Sequence, residues 1–288
     1  MPRTTALVTD STASLPAELV ASRDITVVPL QVVIGATVHD EGVEGGATPE
    51  IVAEALREWA PVSTSRPGPA VFSEVFERLA ADGAEEILAI HLSGDMSGTF
   101  ESAQLAAREA RVPVTVVDSR QVGIGTGFAV LAAADALDGG CTTEEAARVA
   151  RDRAAATTSL FYVDTLEYLR RGGRIGAAAA LLGGALSVKP LLRISDGRID
   201  SFEKVRTSSR ALARLADLAV EAAGEQQVDV AVAHLANPDR AADLTARLTE
   251  RLGDNLSGRE IDCGQLGAVL GAHVGPGMVA VCVAPVPD

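Results

Sequence analysis

Short apolar runs alternate along the chain with segments of helical period. Thr5–Val8 reads as a short buried strand, followed by the turn TDSTAS and a helix beginning near Pro16. Proline is tolerated at a helix start because its missing N–H would be unpaired there anyway. Ile25–Ile34 is a second apolar run, rich in β-branched residues. Helical patterns follow over Pro49–Trp59 and Pro69–Ala81, with Thr48 and Gly68 where N-caps belong. Glu86–Leu92 reads as a third strand, Ser97–Ala110 as a helix, Val112–Val117 as a fourth strand and Gln121–Leu137 as a helix. Thr142–Ala156 is a helix whose TTEE opening has the form of a capping box. Strands separated by helices of this length imply right-handed crossovers and a mainly parallel sheet.

The second half has a different texture. Leu160–Val163 is strand-like, YLRRGGRIG is a turn-rich basic segment, and Ala177–Leu182 is helical. Ser187–Ile194 and Ile199–Phe202, joined by a tight turn at Asp196–Gly197, read as a β-hairpin. A helix over Ser208–Ala223, a strand over Val228–Leu235 and a helix over Pro238–Leu252 come next. A short strand near Arg259–Asp262 and a final strand over Met278–Val283 complete the pattern. The fold class is α/β, with a domain boundary near residue 158. An N-terminal α/β domain (1–158) carries a mainly parallel sheet with flanking helices. A C-terminal α/β domain (159–288) carries a mixed sheet with helices. No low-complexity linker separates the halves, so they are expected to pack closely.

Composition narrows the function. The chain has 288 residues with 25 basic and 39 acidic side chains, a formal net charge of −14. Such a balance argues against wrapping a nucleic acid, which needs a basic face to displace counterions. Aromatics are only 3%, so the core is built from Ala, Val, Leu and Ile, and stacking on single strands is disfavoured. No apolar run of membrane-spanning length exists, and MPRTTALVTDST lacks the apolar core of a signal peptide. A cytoplasmic location is expected. Cys141, Cys263 and Cys282 form no CxxC pair and no zinc spacing, and read as small buried hydrophobes in a reducing cytosol. Neither a metal site nor a cofactor is expected.

Three groups of residues could carry chemistry. The first is a set of hydroxyl and glycine loops at strand ends: TDST at 9–12, STSRPGP at 63–69 and SGDMSGT at 93–99. In parallel sheets ligands bind beyond the carboxyl ends of strands, and SGDMSGT opens a helix whose N-terminus favours an anion. The same residues also serve plain turn and capping chemistry. The second is His273 in GAHVGPG, on a loop leading into the last strand, able to donate to an anionic headgroup or to local backbone. His91, within an apolar run, reads as a core histidine. The third is the basic group Arg170, Arg171, Arg174, Lys189, Arg193 and Arg206, either solvated charges or a surface for a phosphorylated ligand or acidic partner. GIGTG at 123–127 lacks full GxGxxG spacing, and there is no P-loop, GxSxG elbow or HExxH.

In order along the chain, these segments form a pattern. ALVTDSTASLPAEL, ITVVPLQV, STSRPGPAVF, HLSGDMSGTFESA, VDSRQVGIGTG, YLRRGGRIG, VKPLLRISDGRI, EKVRT and HVGPG resemble, over essentially the whole chain, the DegV family of bacterial fatty-acid-binding proteins. The resemblance implies two α/β domains with one long-chain fatty acid in a buried tunnel at or near their interface. It implies a carboxylate held by Thr64, Ser65, Ser93, Ser97 and His273, with Gly98 in the same loop. It further implies a non-enzymatic carrier that presents the bound acid to a separate fatty-acid kinase, which makes the acyl phosphate for phospholipid synthesis. Arg174 and Arg206, in the GGRI and EKxRT segments, are then expected to face that kinase.

The chain departs from the family pattern in two loops. Arg66 stands where TSQPS has Gln, and Gly68 replaces its second Ser. Gly94 and Asp95 replace the second Ser and the Gly of LSSGLSGT, and Asp95 is expected to face solvent. Phe100, Phe128 and Phe161 are candidates for contact with the acyl tail. Two readings compete with the carrier. One is a small-molecule phosphotransferase or hydrolase, since the family's fold is similar to a domain of dihydroxyacetone kinases. The other is a regulatory protein whose lipid is structural.

Overall fold

The apolar runs of the first half do form a parallel sheet, but one of them is divided. In the computed structural model, which describes residues 4–181 and 189–287, β1 (Thr5–Asp10) leads through a 3₁₀ turn to α1 (Ala17–Ser22) and β2 (Ile25–Val28). The Ile25–Ile34 run breaks at Pro29. Its second part is β3 (Gln31–Ile34), which leaves the first sheet and pairs antiparallel with β4 (Thr37–Asp40) and β5 (Val62–Ser65). Proline has no N–H to donate to a ladder, and the pairing passes from one sheet to the other at this residue. The remaining elements of this half are α2 (Pro49–Arg57), α3 (Pro69–Ala81), β6 (Glu86–His91), α4 (Thr99–Ala107), β7 (Val114–Asp118), α5 (Ile124–Asp138) and α6 (Thr143–Ala156). The first sheet has the order β2-β1-β6-β7, and every pair in it is parallel.

Local signals fix the helix starts. Thr48 Oγ1 accepts from the Ile51 amide at the start of α2. Thr142 and Glu145 close a capping box on α6. Helices α5 and α6 pack Ala129, Val130, Ala133, Ala146 and Ala150 against Leu7, Leu88 and Ile90 on one face of the sheet. The other face packs Val8, Ile87 and Ala89 against Phe72 and Phe76 of α3.

The second half begins at β8 (Thr158–Tyr162) and α7 (Glu167–Arg171). It continues with β9 (Lys189–Ser195), β10 (Arg198–Val205), α8 (Ser208–Ala223), β11 (Val228–His234), α9 (Pro238–Arg251) and α10 (Gly253–Leu256), and ends with β12 (Asp262–Gln265), α11 (Ala268–Val274) and β13 (Val279–Pro285). The expected helix at Ala177–Leu182 is a 3₁₀ turn over Gly176–Leu181, and Leu182, Ser187 and Val188 lie outside the described residues. The hairpin turns at Asp196 and Gly197, both at positive φ. The six-stranded sheet has the order β10-β9-β8-β13-β11-β12 and is antiparallel except for β11 and β12.

Alternation along these strands sorts residues between the two faces. Leu160, Tyr162, Val230, Val232, Val279, Val281 and Val283 pack under α8 and α9. Phe161, Leu192, Ala233 and Ala280 face the other way, toward Leu266, Leu270 and Met278. Among the described residues, no helix is long and apolar enough to cross a membrane. Cys282 is buried, and burial pushes its thiol up to about 12. Cys141 and Cys263, read as buried, are instead exposed. Cys141 follows the Gly139–Gly140 helix end, and Cys263 lies on β12, a four-residue edge strand whose every residue is exposed.

A polar clamp joins α6 to the second sheet. Arg153 of α6, 4% exposed at its side chain, pairs with Asp229 of β11, which also lies 3.1 Å from Arg259. Gln121 donates to the carbonyls of Ala154 and Thr157 and accepts from Ser159 Oγ. Removing one partner of a buried ion pair strands the other charge. Asp229→Ala is therefore expected to lower unfolding stability in urea by about 3 kcal/mol, the low end for such pairs because Asp229 is one-third exposed. The double change Arg153→Met, Asp229→Leu should recover most of that loss.

Candidate functional site

The inner face of the six-stranded sheet and helix α11 do not close on each other. Between them lies a cavity of about 560 Å³. Small side chains keep it open: Ser159, Ala233 and Ala280 line the sheet side, and Gly123 lines the start of α5. Leu266, Val269 and Leu270 form the opposite wall, and Ile194 and Ile199 of the hairpin close one side. Of the three aromatics that were candidates for tail contact, Phe161 lines the cavity. Phe128 instead lies under the Arg153 guanidinium, 5.6 Å from it.

Polar groups gather at one end. β5 pairs with β3 in the register Val32↔Thr64, and the buried Val32 anchors this edge. Thr64 and Ser65 thus lie on a strand, not in the loop expected for STSRPGP. Thr64 Oγ1 is 2.9 Å from His273 Nε2. His273 sits in the last turn of α11, where a loop was expected. Ser97 Oγ is 2.8 Å from Thr99 Oγ1, and Ser65, Arg66, Ser97 and Gly98 all line the same end. Burial, with Arg174 adding to it, pushes the His273 imidazole down to about 4. The ring is therefore neutral at physiological pH.

Several contacts hold His273 in place. The turn after α11 needs glycine twice: Gly275 has φ +76° and Gly277 φ +93°. A methyl group on Gly275 would also lie 2.0 Å from the Tyr168 ring. Gly172 backs the imidazole so closely that a methyl there would sit 2.2 Å from Nδ1. At the other end of α11, Glu41 accepts from the Val269 amide at 2.8 Å and from Ser11 Oγ at 2.6 Å. Burial raises the Glu41 carboxyl above its usual range, against the lowering effect of those hydrogen bonds. Glu41 was not singled out in the sequence. It sits among glycines in EGVEGG, and nothing local shows that a helix 228 residues later needs its carboxylate.

The other sequence candidates fall in different places. Ser93 is fully buried and lies outside the cavity lining. Its hydroxyl donates to the Gly197 carbonyl at 2.7 Å and ties the loop after β6 to the β9–β10 turn. Arg174, read as facing a partner, stands in the cavity wall. Its Nε donates to the Met96 carbonyl at 3.1 Å and its Nη1 to the Gly172 carbonyl at 2.6 Å. Arg206 is exposed and does not line the cavity. Asp95 lies outside the lining and is held by Arg198 at 2.6 Å. His91 is a core residue, fully buried, with Nδ1 3.0 Å from Asp10 and its ring edge-on to Phe72.

Thr64, Arg174 and His273 also form the floor of a second hollow of about 490 Å³. Trp59, Tyr168 and Arg171 line its outer side, with Arg171 4.8 Å from the Trp59 ring. The Thr64–His273 pair is thus a partition between an inner cavity and an outer recess. A depressed histidine has a definite consequence for stability. Between pH 6.5 and about 4 the unfolded chain holds a proton on His273 that the folded chain does not, so stability falls as pH drops through this window. His273→Gln should make that loss shallower in acid-unfolding curves, with little change above pH 7.

A family model described as an uncharacterised protein of the DegV family matches residues 4–286. A DegV domain-containing protein of Streptomyces coelicolor is 50% identical over 283 residues, covering 98% of this chain and 99% of its own. In three dimensions the chain is similar to a DegV family protein from Thermus thermophilus whose structure is described by its fatty acid binding. The TM-score is 0.90 at 32% identity, over 99% of this chain and 100% of that one. It is likewise similar to DegV of Bacillus subtilis, described as a fatty acid binding protein, with a TM-score of 0.87 at 30% identity over 99% and 100% of the two chains. The match runs from the first strand to the last, and the chain belongs to the DegV family.

Proposed function

We propose that this protein is a carrier that holds one long-chain fatty acid in the inner cavity. One observation carries the reading: in a chain of net charge −14, the charged side chains lining the cavity are Arg66 and Arg174, with no carboxylate among them. The body of the cavity is apolar and its cationic end holds hydroxyls and a neutral imidazole. That division matches a ligand with a long alkyl tail and one anionic head. The volume falls within the range of small-molecule sites, roughly 300–1,000 Å³. Burying about 15 methylenes contributes about 12 kcal/mol before ordering costs. Affinity then comes from the tail, while Thr64, Ser65, Ser97 and His273, with the backbone at Gly98, fix the head.

The carboxylate would lie against the partition, within reach of the outer recess. This supports a role in which a separate acyl kinase takes the bound head as substrate in the cytoplasm, forming an acyl phosphate, while the tail stays sheltered. The exposure of Arg206 just after the hairpin supports a docking role for it, and the position of Arg174 in the cavity wall supports a role at the head. A phosphotransferase acting on a small polar substrate would need polar walls, and this cavity has an apolar body.

Native mass spectrometry of the purified protein, followed by lipid extraction, is the direct test. One fatty acid per chain is expected; a protein that carries none and takes up none on addition is not a carrier. For the partner step, Arg206→Ala should lower the rate of kinase-coupled acyl phosphate formation several-fold while leaving the dissociation constant for the acid unchanged. Loss of acid binding in that variant would move Arg206 into the ligand site.

A further inference from the structure

Arg66 is a departure from the family's loop pattern that stands in the cavity wall. Its guanidinium carries no hydrogen bond or ion pair among the described residues, although it lines the polar end of the cavity. Arg174 differs, since two of its donors are engaged by the carbonyls of Met96 and Gly172. Arg66 therefore has its whole planar fork of donors available. Its position is set by a seat. A methyl group on Gly98 would lie 2.0 Å from Arg66 Nη1 and 2.5 Å from Cζ. Gly98 has φ −73° and ψ 17°, a backbone conformation open to any residue, so a methyl there would displace the guanidinium and leave the backbone unstrained.

Apart from Arg174, two of whose donors are spent on the Met96 and Gly172 carbonyls, the headgroup residues do not read charge. Thr64 and Ser97 hydroxyls and a neutral His273 can satisfy an alcohol, an amide or an acid equally well. We propose that Arg66, seated on Gly98, is the residue that makes the cavity select an ionised acid over a neutral lipid of the same chain length. This rests on the carrier reading above. Because Arg66 is exposed at the mouth, its pairing with a carboxylate is screened by salt, and the selectivity it confers falls as ionic strength rises.

The test measures dissociation constants for a saturated long-chain acid and for the primary alcohol of the same length, at pH 8 and low salt. The proteins are the parent, Arg66→Gln, Arg66→Lys and Gly98→Ala. The parent should favour the acid. Arg66→Gln should weaken acid binding about three- to fivefold, the scale of an exposed charge pair, and leave the alcohol unchanged. Arg66→Lys should recover part of the acid affinity, and Gly98→Ala, which displaces the guanidinium without removing it, should behave like Arg66→Gln. High salt should shrink the acid preference of the parent and not that of Arg66→Gln. Equal weakening of both ligands, unchanged acid binding in Arg66→Gln, or full acid affinity in Gly98→Ala each overturns the assignment. A parent that binds neither ligand overturns the carrier reading, and this one with it.

Discussion

The contact between Thr64 and His273 joins residues 209 positions apart, and the rest of the site is arranged to make it. Loop closure over that span has an entropic cost that grows slowly with length, but one contact cannot meet it alone. The contact is therefore built from both sides. β3 sets the register of Thr64, while Glu41, the Gly275 turn and the close backing of Gly172 set the position of the imidazole. Each support belongs to a different element. The pair then stands between two hollows, lining both of them.

Charge is the second constraint. An ionised head brought into an apolar interior must find partners, because an unpaired charge there is costly. This chain is strongly acidic, yet among the described residues its cavity is lined by two guanidinium groups and no carboxylate. Asp95, in the loop that carries Ser97 and Gly98, pairs with Arg198 and lies outside the lining. Burial holds His273 neutral, so it adds a hydrogen-bonding position and no fixed charge. Sorting charge in this way separates two tasks. In the proposed carrier the hydroxyls and imidazole would locate the head, and Arg66 would distinguish its ionisation state.

Protein interiors pack densely, so an open cavity must be specified. Here the specification is distributed. The strands of the second sheet alternate large residues toward α8 and α9 with Ser159, Ala233 and Ala280 toward the cavity. The alternation itself is legible in the sequence, as are the helix starts at Thr48 and Thr142, because these depend on neighbours within a few positions. Small residues facing a cavity are not legible, because alanine serves equally well in a tight helix packing, as α5 and α6 show. The break at Pro29 was written in the chain but masked by apolar residues on both sides.

The sequence by itself determined most of the helices and the strands of the two larger sheets, the two-part α/β architecture, the family pattern of loops and the acidic balance of the chain. The elements and the charge follow from local periodicity, capping chemistry and composition, and the loop pattern from its resemblance to the family. Only the tertiary structure decided what each polar residue does. Ser93 and Ser97 occupy similar local sequence, yet one clamps a hairpin carbonyl and the other lines the cavity. Arg174 and Arg206 both lie in basic segments, yet one turns inward and the other outward. Arg66 was visible only as a departure from a pattern until Gly98 was seen beneath it. The physical reason is common to all three: a side chain's role is set by the element packed against it, and that element lies far away in the chain.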